Sequence, residues 1–282
     1  MSDEEKLVPI DAPRLSLDLR GLTQARVALD RTGVSLVTRH SLEFALAHAQ
    51  ARDAVHSALA VPSMLSLLHD RGLEAIAVKS AARDRTEYLR RPDLGRGLAP
   101  ASAARLAEFG AGQKKSAVSI SFILADGLSA VAVERHAVPL LDALLPLLVL
   151  ESAEEPASHS ARWAMTPVII AEQARVALGD EIGVTLAADV TVMLIGERPG
   201  LSSPASLGAY ITWVPRPGRT DAERNCVSNI HEDGLHYDAA ATQIALILSE
   251  ARRLQRTGVA PRGSVSGIHD PLQSRAKSHH FL

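Results

Sequence analysis

Val190-Thr191-Val192-Met193-Leu194-Ile195 is a run of apolar and β-branched residues that stops abruptly at Gly196-Glu197-Arg198-Pro199-Gly200-Leu201. Such a run, cut off by glycine and proline, reads as a buried strand with a carboxylate, Glu197, at its carboxyl end. A second candidate strand, Ala209 to Val214, follows, then the turn Pro215-Arg216-Pro217-Gly218. Cys226-Val227-Ser228-Asn229-Ile230-His231 comes next, read as a polar loop ahead of a long helical pattern. Two polar loops are thus expected to flank one sheet edge. In open α/β sheets, backbone groups and helix N-termini converge on the crevice beyond the carboxyl ends of parallel strands, so the sequence points to this edge as the site.

Upstream, Val118 to Leu124 is another buried-strand run, ending at Ala125-Asp126-Gly127-Leu128-Ser129. A helical pattern covers Val138 to Leu150, Pro167 to Ala171 is a third apolar run, and a helix is predicted from Glu172 to Leu186. Strand alternating with helix predicts an α/β fold, a Rossmann-like parallel sheet with flanking helices over residues 115–257, and puts Asp126 beside Glu197 at carboxyl ends. Residues 14–114 read as mainly helical: one helix from an N-cap at Ser41 to Leu59, closed off by Pro62, and another from Ser63 to Arg71. Arg85 to Gly97 is charged and broken by glycine, and reads as a surface loop. Asp238 to Arg256 is amphipathic, with Ala241, Ile244, Ala245, Leu248 and Leu254 on the stripe that should cover the sheet. Residues 1–13 read as a mobile arm and 258–282, rich in Pro, Gly, Ser and His, as a disordered tail.

Aromatic residues make up 3% of the chain and Lys+Arg 30 are outnumbered by Asp+Glu 32, which leaves neither stacking platforms nor a basic excess for nucleic acid. The longest apolar run, Val138 to Leu150, contains Pro139, Asp142 and Pro146 and falls short of the roughly 18 residues of a membrane span. The acidic start, Met1-Ser2-Asp3-Glu4-Glu5-Lys6, does not read as a signal or transit peptide, and a single Cys226 cannot form an internal disulfide. A folded, soluble, cytoplasmic protein is expected, with no nucleic-acid or membrane partner.

Self-contained chemistry is hard to assemble from these residues. Gly95-Arg96-Gly97 begins like a dinucleotide fingerprint but has Pro100 where the last glycine belongs. His231-Glu232-Asp233 with His236 misses the H-E-x-x-H spacing by one residue, so two imidazoles would not face one ion. Gly263-Ser264-Val265-Ser266-Gly267 has valine where a nucleophile elbow needs serine. Asn229-Ile230-His231-Glu232-Asp233-Gly234 is similar to the D-x-H-x-x-G signature of histidine-on cobalamin proteins, with Asn in place of the polarising Asp. No catalytic residue and no metal ligand is therefore assigned. On bare sequence Glu197 reads equally as a surface carboxylate or a ligand contact, Cys226 as a small buried hydrophobe and Val176 as helix core.

Taken together, Tyr88-Leu89-Arg90-Arg91-Pro92-Asp93-Leu94-Gly95-Arg96, Asp126-Gly127-Leu128-Ser129, Gly196-Glu197-Arg198-Pro199-Gly200-Leu201 and Cys226-Val227-Ser228-Asn229-Ile230-His231, in that order, resemble the small subunit of ethanolamine ammonia-lyase. The resemblance covers roughly Arg26 to Arg256. It implies adenosylcobalamin as cofactor, conversion of ethanolamine to acetaldehyde and ammonia by a radical mechanism, and a hetero-oligomer in which the large subunit binds the ethanolamine. The small subunit supplies part of the cobalamin surface, through positions that fall here on Val176, Glu197 and Cys226. The cofactor's own benzimidazole would stay on cobalt, leaving His231 no role as a ligand, and the chain alone would be inactive. The resemblance leaves open whether the enzyme enters a bacterial microcompartment. Two other readings stand beside it: a nucleotide-binding oxidoreductase, for which the phosphate-cradling glycine loop is missing, and a non-catalytic assembly subunit.

Overall fold

The computed structural model describes residues 23, 25–27, 29–110, 118–154 and 163–259. The expected arm 1–13, the tail from 260 onward and the Gly263–Gly267 motif lie outside the described residues.

A small hairpin, β1 (Arg31–Thr32) and β2 (Ser35–Leu36), leads into α1 (Thr38–His56) and α2 (Val61–His69), then β3 (Ala75–Lys79), α3 (Arg85–Arg90) and α4 (Pro100–Gly110). There follow β4 (Val118–Ala125), α5 (Ala130–Glu154), β5 (Trp163–Met165), β6 (Val168–Glu172), α6 (Leu178–Thr185), β7 (Val190–Gly196), β8 (Leu207–Trp213), β9 (Asn225–Ile230) and α7 (Tyr237–Leu254). One 7-stranded sheet runs in the order β3-β6-β4-β7-β8-β9, with β5 beside β4. Strands β3, β6, β4, β5 and β7 are parallel, whereas β8 and β9 pair antiparallel. The fold is thus α/β with a mostly parallel sheet, and the all-parallel expectation fails at its far edge. The physical reason is the link 197–206, which holds no helix; a parallel return needs a crossover of about a dozen residues or more.

This reversal changes the expected site. Trp213 pairs with Val190, so the turn after β8 lies at the edge opposite Glu197, and the two loops do not flank one edge. Nor is Cys226 in a loop: β9 alternates only roughly in burial, as an outer strand with one exposed face does, and its polar residues disguise it.

Burial explains the central strand. All of β7 is buried, with Val190, Val192 and Leu194 packing into one cluster with α5 and α7, and Met193 and Ile195 into a second with α4 and α6. The alternation is that of a strand between two layers. Helix α7 buries Ala240, Ala241, Ile244, Leu248 and Ala251, so the predicted stripe holds in its middle, while Leu254 remains 38% exposed. Helix α5 is longer than its apolar pattern and contains Pro139 and Pro146. Each removes a backbone hydrogen bond, yet burial of Leu140, Leu141, Leu144 and Leu148 on one side holds the helix together.

Three further expectations change. Helix α1 begins at Thr38 instead of Ser41, and Pro62 opens α2, where its missing N–H is harmless. Arg85 to Gly97 is not a surface loop: Asp84 caps α3 through the Glu87 N–H at 2.8 Å, and Tyr88 is fully buried. The predicted helix from Glu172 starts only at Leu178, because Glu172 ends β6 and Gln173 turns through φ 56. Strand β3, which the sequence reading missed, pairs with β6, so one sheet holds residues from both sides of position 114. Among the described residues, no helix is long and apolar enough to cross a membrane.

Candidate functional site

At the carboxyl edge of the parallel strands, the quoted motifs meet. Gly127 adopts φ +52, a conformation glycine reaches without strain, and Leu128 N–H bonds the Gly196 carbonyl at 2.9 Å. A Cβ on Gly196 would collide with the carbonyl oxygens of Ser129 and Asp126, so this close approach requires glycine. Asp126 is buried and accepts from Gln173 N at 2.8 Å and Ala174 N at 3.1 Å, with Arg85 Nη1 at 3.2 Å. Its burial pushes the carboxyl up to about 6, against the pull of Arg85 and the backbone donors.

The segment between β6 and α6, which carries Val176, is held from the other side by the first motif. Tyr88 OH donates to Ala174 O at 2.9 Å, and Arg175 N–H donates to Gly95 O at 2.8 Å. The guanidinium groups of Arg85 and Arg175 lie over the Tyr88 ring at 5.0 and 4.5 Å. Gly95 must lack a side chain because a Cβ there would meet the Tyr88 ring at 2.7 Å. Val176 is half-buried at the end of this support, not in helix core.

Glu197 follows β7 in the parity of Met193 and Ile195, hence on the α6 side of the sheet. Its Oε2 accepts from Ser206 Oγ at 2.5 Å and Asn229 N at 3.2 Å. The carboxylate lies over Gly208, where a Cβ would be 3.0 Å from Oε1. Oε1 takes no hydrogen bond from the described residues. Tyr210 and Cys226 pair across β8 and β9 next to it. Desolvation, then Cys226 and the Glu197 charge, push the Tyr210 hydroxyl up to about 12. Desolvation and Glu197 likewise raise the Cys226 thiol, opposed by its bond with Tyr210, so the exposed sulfur stays a neutral thiol at neutral pH. His231 is buried and its Nε2 is 2.9 Å from Asn229 Oδ1. Among the described residues, no three His, Cys, Asp or Glu side chains group to hold a metal ion.

A cleft of ≈ 810 Å³ opens beside these residues, lined by Arg96, Arg175, Val176, Asp180, Arg198 and the turn 217–221. Val176 is in its wall and Glu197 adjoins it through Arg198, while Cys226 lies on the neighbouring strands. One wall is stiffened by a buried ion pair: Arg224 meets both Asp180 oxygens at 2.7 Å and Thr212 Oγ1 at 2.8 Å. Sequence reading missed Tyr210, Gly208 and the Asp180–Arg224 pair. None carries a motif, and their roles follow from the register of β8 against β9, which sequence does not display.

Fold and site together define an open-sheet α/β protein with a ligand cleft at the carboxyl ends of its parallel strands. The family model "Ethanolamine ammonia-lyase light chain (EutC)" matches residues 15–262, and the chain belongs to that family. It is 52% identical over 247 residues to the ethanolamine ammonia-lyase small subunit of Bradyrhizobium diazoefficiens, spanning 88% of this chain and 90% of that one. It is 50% identical to the small subunit of Azotobacter vinelandii (86% and 85% covered) and 49% identical to that of Pseudomonas fluorescens (89% and 88% covered).

Proposed function

We propose that this chain is the small subunit of an adenosylcobalamin-dependent ethanolamine ammonia-lyase, and that it supplies part of the cobalamin surface while a large subunit binds the ethanolamine. The observation that carries this reading is the Glu197 carboxylate: one oxygen is anchored by Ser206 and Asn229, and the other takes no bond from the described residues. A corrin ring has a rim of primary amides, which are N–H donors, so an oriented, half-satisfied carboxylate at a cleft suits it. Val176 and Cys226 fit the same role by offering backbone groups and a small, unionised surface against the ring. Residues 115–257 supply these contacts and 14–114 back them, in a Rossmann-like arrangement of the parallel strands.

When bound, the cofactor supplies the radical chemistry that turns ethanolamine into acetaldehyde and ammonia. This chain's own residues orient and bind: Asp126 and Tyr88 fix the backbone beside Val176, and Ser206 aims Glu197. His231 serves as a partner of Asn229 and not as a cobalt ligand. The enzyme works in the cytoplasm, free or within a bacterial microcompartment.

The test is reconstitution. The purified chain with adenosylcobalamin and ethanolamine should give no acetaldehyde, and adding the large subunit should restore turnover. Turnover by the chain alone, or none from the pair, would contradict the proposal.

A further inference from the structure

The charges around the cleft do not balance locally. Asp180 is consumed by Arg224, whose two nitrogens reach its two oxygens at 2.7 Å. Glu181 accepts the Leu98 N–H at 2.7 Å, and Asp221 faces Arg224 Nε at 3.8 Å. Arg219 is held by Glu223 at 2.8 Å and by the carbonyls of Trp213 and Val214. Arg96, Arg175 and Arg198 remain, and among the described residues none of the three has a carboxylate partner. Arg175 is moreover fixed, its guanidinium 4.5 Å over the Tyr88 ring and its buried Nε without a hydrogen-bond partner.

Three guanidinium groups converging without counter-charge on a concave site repel one another unless an anion joins them, and the guanidinium fork matches phosphate oxygens two at a time. A volume of ≈ 810 Å³ admits a ligand the size of a nucleotide. We propose that this cleft is a phosphate-ester site, with Arg96, Arg175 and Arg198 as its cationic wall. Resting on the function proposed above, the ester is the phosphodiester of the cofactor's nucleotide loop. The cleft adjoins the corrin-facing residues: Val176 is in its wall, and Arg198 follows Glu197 in the chain. The concave shape favours a small ligand over an acidic segment of the large subunit.

The experiment uses the complex with the large subunit, carrying either the native chain or an Arg96→Gln/Arg198→Gln chain. Both side chains are exposed, so folding should survive their replacement. Affinity is measured by absorbance titration for adenosylcobalamin, for adenosylcobinamide phosphate, and for adenosylcobinamide, which differs from the last only by lacking the phosphate. The native complex should prefer the phosphate-bearing cobinamide by roughly ten- to a hundredfold, and the variant should lose that preference while binding adenosylcobinamide as before. An unchanged preference in the variant overturns the proposal. So does equal loss for all ligands or failure to assemble, which would make the arginines a docking surface for the large subunit. A parallel arm uses inorganic pyrophosphate. If the native complex binds it in an arginine-dependent way but binds no corrinoid, the phosphate site stands and the cobalamin reading falls. If it binds neither, both fall.

Discussion

Asp126 does more than end a strand. Its carboxylate gathers the backbone donors of Gln173 and Ala174 and so shapes the approach to Val176, yet burial lifts its pKa from 3.8 to about 6. The sign of the resulting pH dependence follows directly. Below about pH 4 the group is protonated whether the chain is folded or not; between pH 4 and about 6 the unfolded chain ionises while the folded one retains its proton. Stability contributed by the bound proton is therefore lost as pH rises through that window, and the loss is complete above it. The melting temperature of the native chain, relative to Asp126→Asn, should fall from about pH 4 to about pH 6.5; a rise would mean that Arg85 and the backbone donors outweigh burial. Asp126 and Glu197 were legible in the sequence because each follows an unbroken apolar run that stops at a glycine-bearing turn. Gly208 and Tyr210 were not, since what matters there is which residue lies opposite, and register is set by tertiary pairing.

At the scale of elements, the turn after β4 and the end of β7 interlock through glycine. Gly196→Ala would drive a methyl into the carbonyl oxygens of Ser129 and Asp126, both of them backbone atoms that cannot rotate away. The turn must then shift, at about 1–3 kcal/mol of stability, with Glu197 displaced as well. Chemical denaturation should show that loss with an unchanged slope; a variant as stable as the native chain would mean that the edge yields freely. Strands β4, β6, β7 and β8 were readable because they are continuous apolar runs. Strand β3 hid because Ala75–Lys79 is short and follows helices, and β9 hid because its outward residues are polar. Proline misled in the opposite direction at α5, where packing of four leucines outweighs two missing hydrogen bonds. The first motif misled through composition: its charges face outward, while Tyr88 and Gly95 are buried beneath the backbone that carries Val176.

For the molecule as a whole, the three positions implied by family resemblance, Val176, Glu197 and Cys226, lie on three different chain segments that the sheet brings to one side. The sequence could order these segments but not orient them, since the antiparallel return of β8 reverses the direction of everything after Glu197. The central claim is that this side meets the cofactor within a complex that the chain cannot replace alone. It is tested most directly by the equilibrium affinity of adenosylcobalamin for the complex assembled with native, Glu197→Ala or Glu197→Gln chains, each also melted. Losing a charge-assisted bond to a corrin amide should weaken binding by on the order of 1.5–3 kcal/mol, roughly ten- to a hundredfold, in both variants, because the Gln amide presents a donor where an acceptor is needed. The melting temperature should scarcely move. Native affinity in both variants would contradict the account, leaving Glu197 a carboxylate that serves only Ser206 and Asn229.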